Sequence, residues 1–260
     1  MTSIFLRSLV FNVLFYLVMA FWFILAIPTF VLPKSTTFWI ARQWAHNSEW
    51  LMRVVCNIHI EYRGVEKIPT GPLIVASKHQ SMWETFTLMR FFDEPLYIYK
   101  RELARIPLFG WYLVKTQMIG IDRDAGARAL ITMAKRAREE VLRGRQLIIF
   151  PEGTRRPVGA PRSYKTGIAQ IYTDSGAPCI PVALNSGLFW PRRTFLRYPG
   201  TLVVEFHDVL PPGLKRRDFI AQISATIETA TDRLVDVARA EQAQLFGRVP
   251  SSADVGLDEG

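Results

Sequence analysis

His79 and Glu84 are the pair of residues in this 260-residue sequence whose types and spacing most clearly indicate chemistry. They lie five positions apart in the segment KHQSMWE. A neutral imidazole, with an ordinary pKa of about 6.5, can take a proton from a hydroxyl group while a carboxylate holds its second ring nitrogen. The pair therefore predicts a general base, His79, and an orienting carboxylate, Glu84.

The spacing of this pair restricts the local structure. Five residues of an ideal helix turn through about 500°, which would place the two side chains on different faces. The S-x-x-E pattern from Ser81 to Glu84 is typical of a capping box, so we expect a helix that begins at Ser81, with His79 in the loop before it. The backbone amides at this helix start are candidates to stabilise an oxyanion. The alternative is that Glu84 only caps the helix and that His79 is an ordinary loop residue.

A second segment, FPEGTR at residues 150–155, offers an anion site. It follows a short apolar run that is typical of a buried strand and ends at Phe150. Gly153 permits a positive φ, Thr154 offers a hydroxyl, and Arg155 offers a planar fork that matches phosphate oxygens. Taken alone, EGTR is more often a solvated turn, and only its combination with His79 makes it specific.

These two motifs, H-x-x-x-x-D/E and then F-P-E-G-T-R about 70 residues later, resemble those of the glycerolipid acyltransferases, specifically the bacterial 1-acyl-glycerol-3-phosphate acyltransferases. The resemblance extends from about Ile58 to Leu210. It implies transfer of a fatty acyl group from acyl carrier protein or coenzyme A to the sn-2 hydroxyl of 1-acyl-glycerol-3-phosphate, which gives phosphatidate. It implies no metal and no organic cofactor. Most familiar members have Asp where this chain has Glu84.

The resemblance also assigns substrate-binding residues. The segment YKREL, followed by a proline and by Gly110, is similar to the K-x-E-L…P…G block of the family. From it we expect Lys100 to contact phosphate, and Glu102 and Gly110 to shape the site. Glu152 would accept a hydrogen bond from the glycerol hydroxyl or position Arg155. The resemblance thus implies His79 and Glu84 for catalysis, and for substrate binding Lys100, Glu102, Gly110, Glu152, Gly153, Thr154 and Arg155.

Two other functions remain open at this point. The acceptor could be a different lysolipid, including one that contains an amino acid, because Lys100 and Arg155 would remain as part of the family scaffold. From a different class, the chain could be a non-catalytic membrane adaptor that uses its basic surface. The intact His79, Glu84 and Arg155 argue against an adaptor, which has no reason to keep a base, its carboxylate and an anion site together.

The N-terminal region indicates where the protein acts. The net charge of +9 favours an anionic partner, which could be nucleic acid, an anionic membrane surface or an acidic carrier. The apolar run from Leu9 to Leu32 selects the membrane rather than nucleic acid, because about 20 such residues cross a hydrocarbon core of about 30 Å. A cleaved signal peptide would have a shorter apolar region and a small-x-small cleavage site. The run could span the membrane or form a re-entrant hairpin.

Charge and periodicity extend this prediction. Arg7 precedes the apolar run, and three basic residues follow it, at positions 34, 42 and 53. The positive-inside bias therefore places the catalytic part in the cytoplasm. For the bacterial family that the chain resembles, this implies the cytoplasmic face of the inner membrane. The segment from Phe38 to Val55 has the periodicity of an amphipathic helix and contains three tryptophans. It could lie in the membrane interface or pack on the protein's own core.

The remaining chain alternates short apolar runs with helical patterns. Runs rich in β-branched or aromatic residues predict strands at 58–62, 72–77, 96–99, 118–121, 146–150, 179–184 and 201–206. Apolar periodicity predicts long helices at 125–142 and 218–246. This alternation predicts an α/β fold with a single mixed, largely parallel sheet covered by helices, and an N-terminal helical membrane anchor. We expect residues 1–57 to form the anchor, 58–247 the acyltransferase domain and 248–260 a disordered tail.

Overall fold

A seven-stranded sheet forms the centre of the computed structural model, which describes residues 2–122 and 126–246. The strands are β1 (Ile58–Arg63), β2 (Leu73–Ser77), β3 (Pro95–Lys100), β4 (Ile119–Ile121), β5 (Gln146–Ile149), β6 (Cys179–Leu184) and β7 (Gly200–Phe206). Their order is β1-β7-β6-β2-β5-β3-β4. Each pairing in this sheet is parallel except that of β6 with β7. The expected mixed, largely parallel sheet is confirmed, and every strand lies within one residue of its expected bounds.

Helices pack on this sheet and extend from it. Those in the described residues are α1 (Thr2–Leu25), α2 (Lys34–Cys56), α3 (Trp83–Thr87), α4 (Phe109–Lys115), α5 (Gly126–Leu142), α6 (Gly167–Ser175) and α7 (Arg216–Phe246). The two long helices predicted from periodicity are confirmed as α5 and α7. Leu130 of α5 and Val237 of α7 fit the apolar periodicity that predicted these helices, but both are exposed. The predicted tail, residues 248–260, lies outside the described residues.

The strands β2 and β5 bring the two motifs together. They are adjacent and parallel, with Ala76 opposite Ile149, so the loops that follow them leave the same edge of the sheet. The chain goes from β2 to β3, beyond β5, and from β5 to β6, beyond β2. The two connections thus leave in opposite directions, and at such a change of direction an α/β sheet binds ligands in the crevice outside the carboxyl ends of its strands. The fold thus explains why both motifs follow strand ends.

The helices α1 and α2 form a hairpin that packs on the sheet domain. A 3-10 turn at Ile27–Val31 connects them, and the two helices pack against each other. Phe11 and Phe15 of α1 belong to the same hydrophobic core as the sheet. Each of the two rings lies 5.3 Å from a ring of Trp190, measured between centroids. Residues 2–57 therefore share one core with the chain that follows them.

The opposite face of α1 is apolar and exposed. Within the described ranges, Thr2–Val31 is the one segment long and apolar enough to cross a membrane, and 17% of an 18-residue apolar stretch within it is buried. Its exposed side chains include Phe5, Leu6, Leu9, Val10, Val13, Tyr16, Leu17, Phe21, Ile24 and Leu25. In α2, Trp39 and Trp50 are exposed, whereas Trp44 packs against Phe86 with ring centroids 4.6 Å apart. The amphipathic helix α2 therefore packs on the core and also presents an outer aromatic face.

Candidate active site

His79 lies in the loop that follows β2, as its motif requires. Its Nδ1 is 3.0 Å from Oε1 of Glu84, and its ring stacks on Phe150 with centroids 4.0 Å apart. Because a carboxylate oxygen is an acceptor, Nδ1 carries the proton and Nε2 keeps the lone pair that a general base uses. The side chain of His79 is 12% exposed. The structure therefore brings the predicted base and its carboxylate together.

Glu84 both orients His79 and caps the chain. It is fully buried, and its Oε1 also accepts the backbone N–H groups of Gln80 at 2.7 Å and Ser81 at 2.6 Å. The hydroxyl of Ser81 in turn accepts the N–H of Trp83 at 3.1 Å. Glu84 thus makes both contacts that the sequence suggested, to His79 and to the backbone of the turn, and the helix begins at Trp83 rather than at Ser81.

These capping bonds remove three backbone amides from the candidates for stabilising an oxyanion. The amides at the start of the helix were candidates to stabilise an oxyanion, yet the N–H groups of Gln80 and Ser81 already donate to Glu84. The N–H of Trp83 donates to the Ser81 hydroxyl. These three donors stabilise the orienting carboxylate and its turn, so they are not available to a substrate oxygen.

Ser186 is a site residue that the sequence motifs did not identify. It is fully buried in the turn after β6, and its hydroxyl donates to Oε2 of Glu84 at 2.9 Å. Beside it, the N–H of Gly187 donates to Oε1 of Gln80 at 3.0 Å. The separation of 102 residues between Ser186 and Glu84 carries no local sequence signal. The only available indication was that Ser186 follows a buried strand, whose carboxyl end lies at the same sheet edge as His79.

Glu152 lies differently from its expected place in the substrate site. It is 2% exposed, its Oε1 accepts from Nζ of Lys78 at 2.8 Å, and its Oε2 accepts the backbone N–H of His79 at 2.9 Å. Burial raises the pKa of Glu152, and the ammonium group of Lys78 opposes this shift. Lys78 also bonds to Glu228 of α7 at 2.8 Å. We therefore assign Glu152 to positioning the His79 loop rather than to contact with glycerol or Arg155.

The turn that contains the second motif is tied directly to the first. Gly153 has φ of +71°, a left-handed conformation that favours glycine, and its N–H donates to the Phe150 carbonyl at 2.9 Å. The N–H of Arg156 donates to the carbonyl oxygen of His79 at 2.8 Å. Thr154 is exposed and Arg155 is half-buried. The predicted base and the predicted anion-binding turn therefore form one site.

The third predicted segment lies farther along the same edge. Lys100 and Glu102 are exposed, with Nζ and Oε2 3.8 Å apart, at the end of β3. Because neighbouring strands are about 5 Å apart, β3 lies about 10 Å from β2 across β5. A Cβ at Gly110 would collide with the carbonyl oxygen of Ala104, so Gly110 allows α4 to approach the preceding 3-10 turn. Gly110 is thus a packing residue, in agreement with a shaping role.

Known proteins are similar to this chain in sequence. A family model described as Acyltransferase matches residues 59–185. A 1-acyl-sn-glycerol-3-phosphate acyltransferase from Pseudomonas aeruginosa is 40% identical over 220 residues, which cover 84% of each chain. A lyso-ornithine lipid O-acyltransferase from the same organism is 29% identical over 136 residues, covering 52% of each chain.

A solved structure has the same architecture. The crystal structure of the 1-acyl-sn-glycerophosphate acyltransferase PlsC from Thermotoga maritima superimposes with a TM-score of 0.74. The match covers 88% of this chain and 97% of the other, at 19% sequence identity. At that identity the likeness establishes the fold, including the sheet that carries the His79 loop.

Proposed function

The chain belongs to the 1-acyl-sn-glycerol-3-phosphate acyltransferase family, and on that premise we propose that it acylates the sn-2 hydroxyl of 1-acyl-glycerol-3-phosphate to give phosphatidate. The observation that carries the proposal is the pair formed by His79 and Glu84, 3.0 Å apart, joined to the Arg155 turn by a backbone hydrogen bond. The acyl donor is a thioester of acyl carrier protein or of coenzyme A.

The geometry supports a direct transfer between the two substrates. Nε2 of His79 takes the proton of the acceptor hydroxyl as its oxygen forms a bond to the thioester carbonyl carbon. The carbon–sulfur bond then breaks, and the departing thiolate takes the proton from the imidazolium of His79, which restores the neutral base. Glu84 holds the ring and stabilises its transient positive charge. These groups complete the proton transfers, so the proposal includes no metal and no organic cofactor.

The acceptor's phosphate would bind beside this base. Arg155 follows a turn whose backbone is fixed against the His79 loop, and a guanidinium group can bind two phosphate oxygens at once. Lys100 is exposed at the same edge of the sheet and would contribute a second positive charge. Thr154, which directly precedes Arg155 in the chain, offers an exposed hydroxyl. We therefore place the phosphate at Arg155, with Lys100 on the side of β3.

The N-terminal hairpin supports a membrane placement in which α1 does not cross the bilayer. The ring of Phe5 lies 5.4 Å from Phe195, and the ring of Phe23 lies 6.2 Å from Phe109. The helix from Phe5 to Phe23 extends about 27 Å along the sheet domain. A helix held along its length against the sheet domain would have to leave that domain in order to span a membrane. We propose that the hairpin enters one leaflet only, at the cytoplasmic face of the bacterial inner membrane.

A second apolar surface continues from the tip of the hairpin. The ring of Phe30 lies 6.3 Å from that of Trp111 in α4, and Nζ of Lys115 donates to the Leu32 carbonyl at 2.7 Å. Trp111 and Val114 lie one helical turn apart and are exposed. They would meet the membrane interface together with the hairpin tip.

Because burial of apolar side chains in the membrane is not screened by ions, the full-length protein should stay on membranes in high salt and be released by detergent. Release by salt alone would contradict the placement.

The function is tested by acyl transfer with purified full-length protein in vesicles. The acceptors are lysophosphatidate, a lysophospholipid with a phosphodiester headgroup, and a lyso-ornithine lipid, each with acyl carrier protein and coenzyme A thioesters. We expect the highest kcat/KM for lysophosphatidate. A clear preference for the lyso-ornithine lipid would mean that this lipid, rather than lysophosphatidate, is the acceptor. The absence of transfer with every pair of substrates would favour the adaptor function.

A further inference from the structure

The loop at residues 191–197 connects the anion-binding turn with the membrane hairpin. At one end, an Nη atom of Arg192 donates to the carbonyl oxygen of Arg155 at 2.7 Å. At the other end, the N–H of Arg197 donates to the Ser8 hydroxyl at 2.8 Å, and the amide of Asn12 donates to the Phe195 carbonyl at 3.0 Å. The loop therefore lies where a lipid acceptor would have to place its headgroup, between α1 and the catalytic crevice.

This loop adds two guanidinium groups to those of the turn. Arg155, Arg156, Arg192 and Arg193, here called the arginine cluster, form no ion pair with a carboxylate in the described part of the chain. Burial lowers the pKa of Arg192, and the positive charges of the other three lower it further. By contrast, Arg233 on α7 is paired with Glu205 at 2.6 Å. Like charges held together in this way repel each other until an anion neutralises them.

The backbone of the loop is also constrained. Arg193 has φ of +58°, in the left-handed region that residues with a Cβ seldom occupy. Such conformations persist where surrounding contacts fix them, and they are common at ligand sites. Here the contacts of Arg192 with the turn and of Arg197 with α1 fix the loop on both sides of Arg193. The strain and the uncompensated charge thus occur at the same place.

We infer that Arg192 and Arg193 complete the acceptor's phosphate site with Arg155, and that they select a phosphate monoester over a diester. This inference rests on the proposed function. A monoester carries nearly two negative charges at pH 7, whereas a diester carries one, so each additional guanidinium group favours the monoester. Arg192 has a second, positioning role, because its hydrogen bond holds the backbone of Arg155.

The test compares Arg192→Gln and Arg193→Gln with the wild-type protein and with Arg217→Gln, an exposed arginine at the start of α7. We expect the KM for lysophosphatidate to rise about 10- to 100-fold in the first two variants, the usual loss for a charge-assisted hydrogen bond. The KM for the thioester should not change, and Arg217→Gln should behave as the wild type.

Selectivity separates phosphate recognition from a structural effect. If the loop only supports the turn, Arg192→Gln would weaken the binding of a monoester and a diester lysolipid equally. Recognition of the monoester instead predicts a larger loss of binding for lysophosphatidate. Where the diester is a poor substrate, its inhibition constant against lysophosphatidate replaces its KM. Unchanged KM values in both variants, or equal losses for both lipids, would overturn the inference. Failure of the wild-type protein to acylate lysophosphatidate would instead overturn the proposed function.

Discussion

The two sides of the crevice satisfy their charges in opposite ways. On the His79 side, Glu84 accepts hydrogen bonds from four donors and Glu152 from two, all of them within the protein. The arginine cluster, on the other side, has no carboxylate partner among residues 2–122 and 126–246. Groups that must keep one orientation are thus bonded internally, whereas groups that bind an anion are left for the substrate.

This difference predicts different kinetic consequences for the two sides. A base that is already oriented before the substrate binds stabilises the transition state, so damage to the His79 side should lower kcat. Cations without internal partners contribute when the acceptor binds, so damage to the arginine cluster should raise the acceptor KM. Variants on each side therefore test whether effects on kcat and on the acceptor KM separate in this way.

The largest effect is expected for His79→Ala. Loss of a general base should lower kcat by about 10²-fold or more, with little change in either KM. The measurement is steady-state transfer to lysophosphatidate, with circular dichroism to verify folding. His46→Ala, at an exposed position on α2, is the matched control. A folded His79→Ala protein with near-normal kcat would show that the base is elsewhere.

Glu84→Gln should have the next largest effect. Two backbone N–H groups point at Oε1, so the amide oxygen should take that place, keep both capping bonds and still accept from Nδ1 of His79. The charge is lost, and an NH2 group replaces the Oε2 that accepts from Ser186. We expect kcat to fall about 10- to 100-fold, mainly because the imidazolium is less stabilised. Thermal denaturation should remain close to that of the wild type. Full activity would mean that Glu84 acts only as a cap.

Local patterns were sufficient for the strands and for the central pair. The strands are short runs bounded by turn residues, and Glu84 was identified because its spacing from His79 and its capping pattern both lie within seven residues. Ser186 lies 102 residues from its partner Glu84 in the sequence, and Glu228 lies 150 residues from its partner Lys78. The sequence did not identify them because only the folded arrangement of the strands brings these partners together. Sequence spacing does not specify that order.

Side-chain direction within a turn was also beyond the sequence. Glu152, Thr154 and Arg155 are consecutive with Gly153 in one motif, and the sequence treats all four alike. In the structure Glu152 points into the protein toward Lys78, whereas Thr154 is exposed. The positive φ of Gly153 lies between them. One motif therefore supplies both a positioning carboxylate and a surface for an anion.

Arg155→Lys tests the side of the crevice that carries the arginine cluster. Lysine keeps the charge but loses the planar fork, so the acceptor KM should rise about tenfold while kcat changes little. The thioester KM serves as the internal control, because the donor need not contact this turn. A fall in kcat without a change in the acceptor KM would mean that Arg155 belongs functionally to the His79 side.

Ser186→Ala should give the smallest effect and also the most diagnostic one. Removing the hydroxyl takes away the donor to Oε2 of Glu84, so three donors instead of four hold the carboxylate, and it orients His79 less firmly. At neutral pH we expect kcat/KM to fall about three- to tenfold, the scale of an ordinary net hydrogen bond, because the other three donors to Glu84 remain. Ser175→Ala, a buried serine on α6 away from Glu84, is the matched control. If Ser186→Ala keeps the wild-type kcat/KM, the hydroxyl of Ser186 does not position the carboxylate. An equal loss in Ser175→Ala would limit the role of Ser186 to packing.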